Sequence, residues 1–247
     1  MLPISDRNPT RTTPYVNYVL IALNVAVFLW EYLVMRGGGE AWLVPGYGLV
    51  PSRLSNDPSG EAFTLLTSMF MHGGLGHLAG NMWFLHIFGD NVEDSVGHVR
   101  YVAFYLLAGI GAAAAQILVD PSSPIPMVGA SGAIAGVLGA YMVLHPSAPI
   151  IVLVPPPLMF FIGLFIELPA WIVAGGWFAW ELVSGVGSLG AAQTGGVAVF
   201  AHIGGFVAGL LMIRPFHAGR ERIGRHRWSG WRPPPRAGER PLERRYH

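Results

Sequence analysis

Three groups of polar residues stand in otherwise apolar segments, and together their types could cleave an acyl bond. Ser131 lies in the string Gly129-Ala130-Ser131-Gly132, where its hydroxyl is a latent nucleophile. His202 lies in Ala201-His202-Ile203-Gly204-Gly205 and carries an imidazole able to accept that hydroxyl's proton. His77 and Asn81 are four residues apart, hence on one face of a helix, and both side chains can donate N–H groups. With the backbone N–H of Ser131, placed in a first helical turn with no intrahelical acceptor, they are the parts of an oxyanion hole. Away from bulk water, each such donor lowers a barrier by about 3–4 kcal/mol. No acidic residue of the later apolar segments is expected at a depth that would orient His202. The sequence therefore predicts a Ser131–His202 dyad and not a triad.

The same residues also have a packing explanation. Gly132, Gly136 and Gly139 form a stripe behind Ser131, and Gly205 and Gly209 lie on the face of His202. Small residues let membrane helices approach closely, and a histidine or asparagine among them can simply bond a neighbouring helix. Spacing alone leaves catalysis and packing both open.

The elements that must carry these groups follow from composition. Of 247 residues, 52% are apolar and 12% charged, with a mean hydropathy of +0.47. A soluble domain carries about twice that charged share. Apolar runs at 16–35, 63–88, 101–119, 128–144, 169–183 and 197–213 predict an all-α polytopic membrane protein, a bundle of six transmembrane helices. The first run is too long for a signal-peptide core and no small-residue cleavage site follows it. Residues 150–166 are apolar too, but Pro155, Pro156 and Pro157 will not continue a helix, so an interfacial or re-entrant segment is expected there. The glycine-rich stretch 185–196 is expected to be a flexible loop.

Arginine placement sets the orientation. All fifteen basic residues are arginine, and ten lie in 214–247 against three acids, Glu221, Glu239 and Glu243. Six crossings put these ten inside with Arg7, Arg11 and Arg100, leaving Arg36 and Arg53 outside, which suits the positive-inside rule. A seventh crossing at 150–166 would put the basic tail outside and is rejected. The predicted organisation is a cytoplasmic segment 1–15, a helical domain 16–215 and a disordered Arg/Pro-rich tail 216–247 lying against an anionic leaflet. Topology accounts for the tail's charge, so nucleic acid is not an expected partner. Cysteine is absent, which removes thiolate nucleophiles, disulfides and thiolate metal sites. His217, His226 and His247 are too scattered to suggest a metal centre.

At these motifs the sequence resembles the rhomboid intramembrane serine proteases. His72, His77 and Asn81 in HGGLGHLAGN, the GASG string at Ser131 and the AHIGG string at His202, with Gly209 beyond, occur in the family's order on the corresponding segments. The resemblance covers roughly residues 63–215. It implies a six-helix rhomboid fold of the simpler bacterial type in a cytoplasmic membrane, with both termini cytoplasmic. By residue, it implies Ser131 as nucleophile, His202 as base, His77 and Asn81 with the Ser131 N–H as oxyanion donors, and Gly129 and Ala130 beside the substrate. It further implies single-span membrane proteins as substrates, no metal, ATP or other cofactor, a structural hydrogen-bonding role for Glu93, and access controlled by 169–183 and 185–196. His72 would shape the loop side of the site. The family's frequent Trp-Arg pair in the first loop is missing, Phe63-Thr64 standing near its place, which bears on loop stability. Oligomeric state is left open.

Two rivals remain. One is a catalytically silent relative that binds transmembrane clients, against which the presence of both Ser131 and His202 weighs. The other is a channel or transporter, which should show an internal repeat that this sequence lacks. Asn24, Glu31 and Glu181 are expected to make helix-to-helix hydrogen bonds or to lie near the interface. Trp171, Trp177, Phe178 and Trp180 are expected to anchor the interface and pack the gate.

Overall fold

The computed structural model describes residues 2–188 and 199–219. The tail from 220 and most of the 185–196 stretch lie outside the described residues. Six helices of 14 to 22 residues dominate: α1 (Tyr15–Arg36), α2 (Leu75–Val96), α3 (His98–Val119), α4 (Ser131–Leu144), α5 (Ala170–Ser188) and α6 (Val199–His217). Consecutive helices run in opposite directions. At one end Arg100, in the first turn of α3, donates to the carbonyls of Phe216 and Ala218 after α6, and Thr12 before α1 donates to Asp94 near the end of α2. Ser131 and His202 belong to the opposite end.

The helix faces are inside-out relative to a soluble protein. The buried residues of α1 are Asn17, Leu20, Asn24 and Glu31, whereas Val19, Leu23, Leu29 and Leu33 are exposed. Lipid is as good a solvent as a core for leucine, so polar groups turn inward to find partners. Asn17 donates to the carbonyl of Leu85 and accepts from the Tyr101 hydroxyl, Asn24 donates to the carbonyl of Leu20 in its own helix, and Glu31 accepts from the backbone N–H of His72. Glu93 has the hydrogen-bonding role expected of it. Its fully buried carboxylate accepts the N–H groups of Val16 at 3.0 Å and Asn17 at 2.7 Å, so α2 supplies the cap that α1 lacks after Pro14.

Helix α4 is the axis of the bundle. Its residues 132–141 are all buried, and 14 residues span only about 21 Å, shorter than the expected run 128–144 suggested. Enclosed by protein, α4 has no need to match the bilayer thickness. Its closest partner is α6. A Cβ at Gly205 or Gly209 would strike the carbonyl oxygens of Gly132 or Gly136, so these two helices meet backbone to backbone.

Two expectations need correction. The fold is not all-α: a three-stranded antiparallel sheet joins β1 (Leu2–Asp6), β2 (Pro149–Leu153) and β3 (Phe165–Pro169) in the order β1-β2-β3. Residues 150–166, expected to be an interfacial or re-entrant segment, form a β-hairpin, since the β-branched run Ile150-Ile151-Val152 pairs in register with β3 before the prolines end it. The tip of the hairpin exposes Phe160, Phe161 and Phe165. Burial pushes the Asp6 carboxyl in β1 up to about 7, against the hydrogen bond that Tyr141 donates to it. Nor is 63–88 one helix. A short turn at Thr64–Thr67 ends before Gly73 and Gly74, and α2 begins only at Leu75 and runs on to Val96. Its later half buries Asn91, Glu93, Asp94 and Ser95, which hid it from an apolar-run reading.

Among the described residues, three helices are long and apolar enough to cross a membrane, α1, α3 and α6, with α4 a shorter apolar helix. The first loop folds into short helical turns around Arg53. That side chain bonds Glu61 and the carbonyl of Pro45, a tie between parts of the loop that lacks the Trp-Arg pair.

Candidate active site

Ser131 is the first residue of α4, reached through Gly129 at φ +130°. Only glycine adopts that conformation readily, and a side chain there would also collide with the His77 ring. Gly129 is tied down by its N–H donating to the carbonyl of Ser68 at 2.9 Å. His202 projects from the first turns of α6. The backbone-to-backbone contact of α4 with α6 brings the two together, with Ser131 Oγ 2.7 Å from His202 Nε2.

The other face of the imidazole shows what sequence reasoning missed. Glu181 on α5 places Oε2 3.0 Å from His202 Nδ1. The expectation that no acid reaches His202 is therefore wrong. Of the two expectations for Glu181, a helix-to-helix bond or a place near the interface, it makes the bond, and its partner is the candidate base. Its place on the face of α5 that carries Trp177, four residues earlier, was the available signal. Trp177 sets its ring 5.9 Å from that of His202, so α5 touches the imidazole with an aromatic and a carboxylate. Trp171 and Trp180 point outward and are exposed, as interfacial anchors would be, while Phe178 stacks on Phe206 at 4.4 Å.

Ser131, His202, His77, Asn81 and Trp177 line one cavity of about 690 Å³, walled on its loop side by Pro126 and Met127. His77 opens to this cavity. Asn81 is buried, and its Nδ2 has no hydrogen-bond partner among the described residues. An unpaired buried donor is costly unless something transient uses it. His72 lies buried behind His77, the two rings edge to face at 5.2 Å. Ala130 is fully buried among core residues and, like Gly129, does not line the cavity.

A carboxylate can only accept hydrogen bonds. With Glu181 ionised, Nδ1 of His202 carries the proton and Nε2 presents its lone pair to the Ser131 hydroxyl. This is the protonation pattern in which an imidazole removes a serine proton.

The Rhomboid domain profile matches residues 59–219. Among curated proteins, the chain is 36% identical over 129 residues to "Rhomboid protease GluP" of Bacillus subtilis, covering 52% of this chain and 24% of that one. It is 29% identical over 200 residues to "Rhomboid protein 1, mitochondrial" of Saccharomyces cerevisiae, covering 78% and 51%. It is also 31% identical over 91 residues to "Inactive rhomboid protein 1" of Drosophila melanogaster, covering 37% and 6%. The matches thus span about a quarter of the Bacillus relative and half of the yeast one.

Proposed function

The chain belongs to the rhomboid family, an integral membrane family made up mostly of serine intramembrane proteases, and on that premise we propose that it is a serine endopeptidase hydrolysing peptide bonds in or near the transmembrane segments of single-span membrane proteins. The observation that carries the reading is the 2.7 Å approach of Ser131 Oγ to His202 Nε2 in a cavity shared with His77 and Asn81.

In this mechanism Ser131 Oγ attacks the scissile carbonyl carbon while its proton passes to His202 Nε2. The carbonyl π electrons move to the oxygen, where the Ser131 N–H, His77 and the unpaired Asn81 Nδ2 receive the negative charge. As the tetrahedral intermediate collapses, the C–N bond breaks and Nε2–H protonates the leaving amine. Water then attacks the acyl-enzyme, giving up a proton to Nε2 and later releasing Ser131 with its hydroxyl restored. In this reading the substrate chain passes beside Gly129 and Ala130, next to the nucleophile. No step needs a metal or cofactor.

We further propose six crossings in a bacterial cytoplasmic membrane with both termini cytoplasmic, which puts the cavity near the opposite face. The β-hairpin then lies at the cytoplasmic interface. The deciding experiment is cleavage of a fluorescent single-span substrate in liposomes by wild type, Ser131→Ala and His202→Ala. Cleavage by wild type alone, with both variants folded, is expected. Equal cleavage by wild type and Ser131→Ala would remove Ser131 from its role, and inertness of all three across several helix-destabilised substrates favours client binding without catalysis.

A further inference from the structure

We propose that Glu181 is the positioning residue of the base, making the site a Ser131–His202–Glu181 triad whose third member is delivered by α5. The inference rests on the protease reading above and goes beyond the dyad that the sequence predicts.

Both ring nitrogens of His202 are engaged, Nε2 by Ser131 Oγ at 2.7 Å and Nδ1 by Glu181 Oε2 at 3.0 Å. The pair is largely enclosed, each side chain about 12% exposed. A carboxylate at that depth is costly unless a cation or a strong donor satisfies it, and His202 supplies the donor. In return Glu181 does two things for the chemistry. It holds the imidazole in the tautomer whose Nε2 is an acceptor, and it stabilises the imidazolium that forms once the Ser131 proton arrives. Glu181 takes up no proton itself. The Nδ1–H stays on the ring throughout, and the proton that moves is the one exchanged between Ser131, Nε2 and the leaving amine.

The placement on α5 has a consequence. Nucleophile, base and orienting acid come from three different helices, α4, α6 and α5. Trp177 and Glu181 are one turn apart on α5 and touch the same ring, one through its aromatic face and the other through Nδ1. Displacing α5 removes both supports from His202 while leaving the α4–α6 backbone contact in place. The orientation of the base thus depends on where α5 stands.

The competing role for Glu181 is a structural bond between α5 and α6. Glu181→Gln separates the two, because its amide oxygen can still accept from Nδ1 and keep the helices joined, but it carries no charge. Flipped, it donates to Nδ1 and favours the wrong tautomer. Wild type, Glu181→Gln, Glu181→Asp and Ser131→Ala are compared in liposomes for kcat and KM on the fluorescent single-span substrate, for the rate at which a fluorophosphonate labels Ser131, and for Tm. Expected for Glu181→Gln is a kcat and labelling rate lower by about 10- to 100-fold with KM and Tm nearly unchanged, a part of the roughly 10²–10⁴-fold that base catalysis contributes. Glu181→Asp, charged on a shorter arm, recovers part of that loss. Wild-type kcat in Glu181→Gln would overturn the triad, as would an aspartate variant no faster than the glutamine one. A loss that follows Tm or KM alone would also overturn it in favour of the structural bond. If wild type itself neither cleaves nor is labelled, the protease reading fails, and that outcome is read without any Glu181 variant.

Discussion

Asn81 concentrates the logic of the site in one side chain. Its Nδ2 is buried and has no partner among the described residues, a state that a merely structural asparagine would avoid by turning toward a carbonyl. If that donor is reserved for an oxyanion, Asn81→Ala removes a hydrogen bond made only as charge develops on the substrate. The expected result is a fall in kcat of about 10²–10³ with KM little changed, since a transition-state interaction is lost and uniform binding is not. Steady-state kinetics in liposomes check this. A variant that loses only KM would assign Asn81 to substrate binding. His202 shows how the same residue can be half legible: its string marked it as a candidate base, and its second partner lay hidden on another helix.

At the scale of elements, the α4–α6 contact holds Ser131 and His202 together. Gly209→Ala would press a methyl group into the carbonyl of Gly136 and force the two helices apart. Overpacking of this kind costs about 1–3 kcal/mol. The expected outcome is a lower midpoint of unfolding in detergent together with loss of Ser131 reactivity. Gly175→Ala on α5, where an added Cβ meets nothing within 4 Å, is the control and should be neutral or slightly stabilising. Equal stability of the two variants would mean that the contact is looser than the structure indicates. The hairpin illustrates the opposite case, an element the sequence disguised. Its apolar strands look like half of a membrane span until β1, about 150 residues earlier in the chain, is seen to pair with them.

For the whole molecule, the proposed six crossings put both termini and thirteen of the fifteen arginines on one side, an orientation that can be tested directly. Because the chain has no cysteine, single-cysteine probes report it cleanly. Thr13→Cys and Ala218→Cys should react with an impermeant maleimide only after the membrane is opened, whereas Ser59→Cys, in the first loop, should react in intact cells. The reverse pattern would invert the protein, and labelling of Thr13→Cys and Ala218→Cys from opposite sides would rule out an even number of crossings.

Composition and order of motifs were enough to indicate a helical membrane protein and the residues worth examining, because lipid forces long apolar runs and makes each intramembrane serine, histidine or asparagine conspicuous. The apolar-run method failed where its premise failed: α2 carries its polar groups buried against other helices, α4 is too short and enclosed to follow bilayer thickness, and the hairpin draws its stability from a distant strand. Only the tertiary structure decided that Ser131 meets His202, that Glu181 completes the imidazole's partners, and that Glu93 caps α1. Such contacts join residues from separate helices. They depend on how those helices rotate and approach one another, and periodicity within any one segment does not encode that.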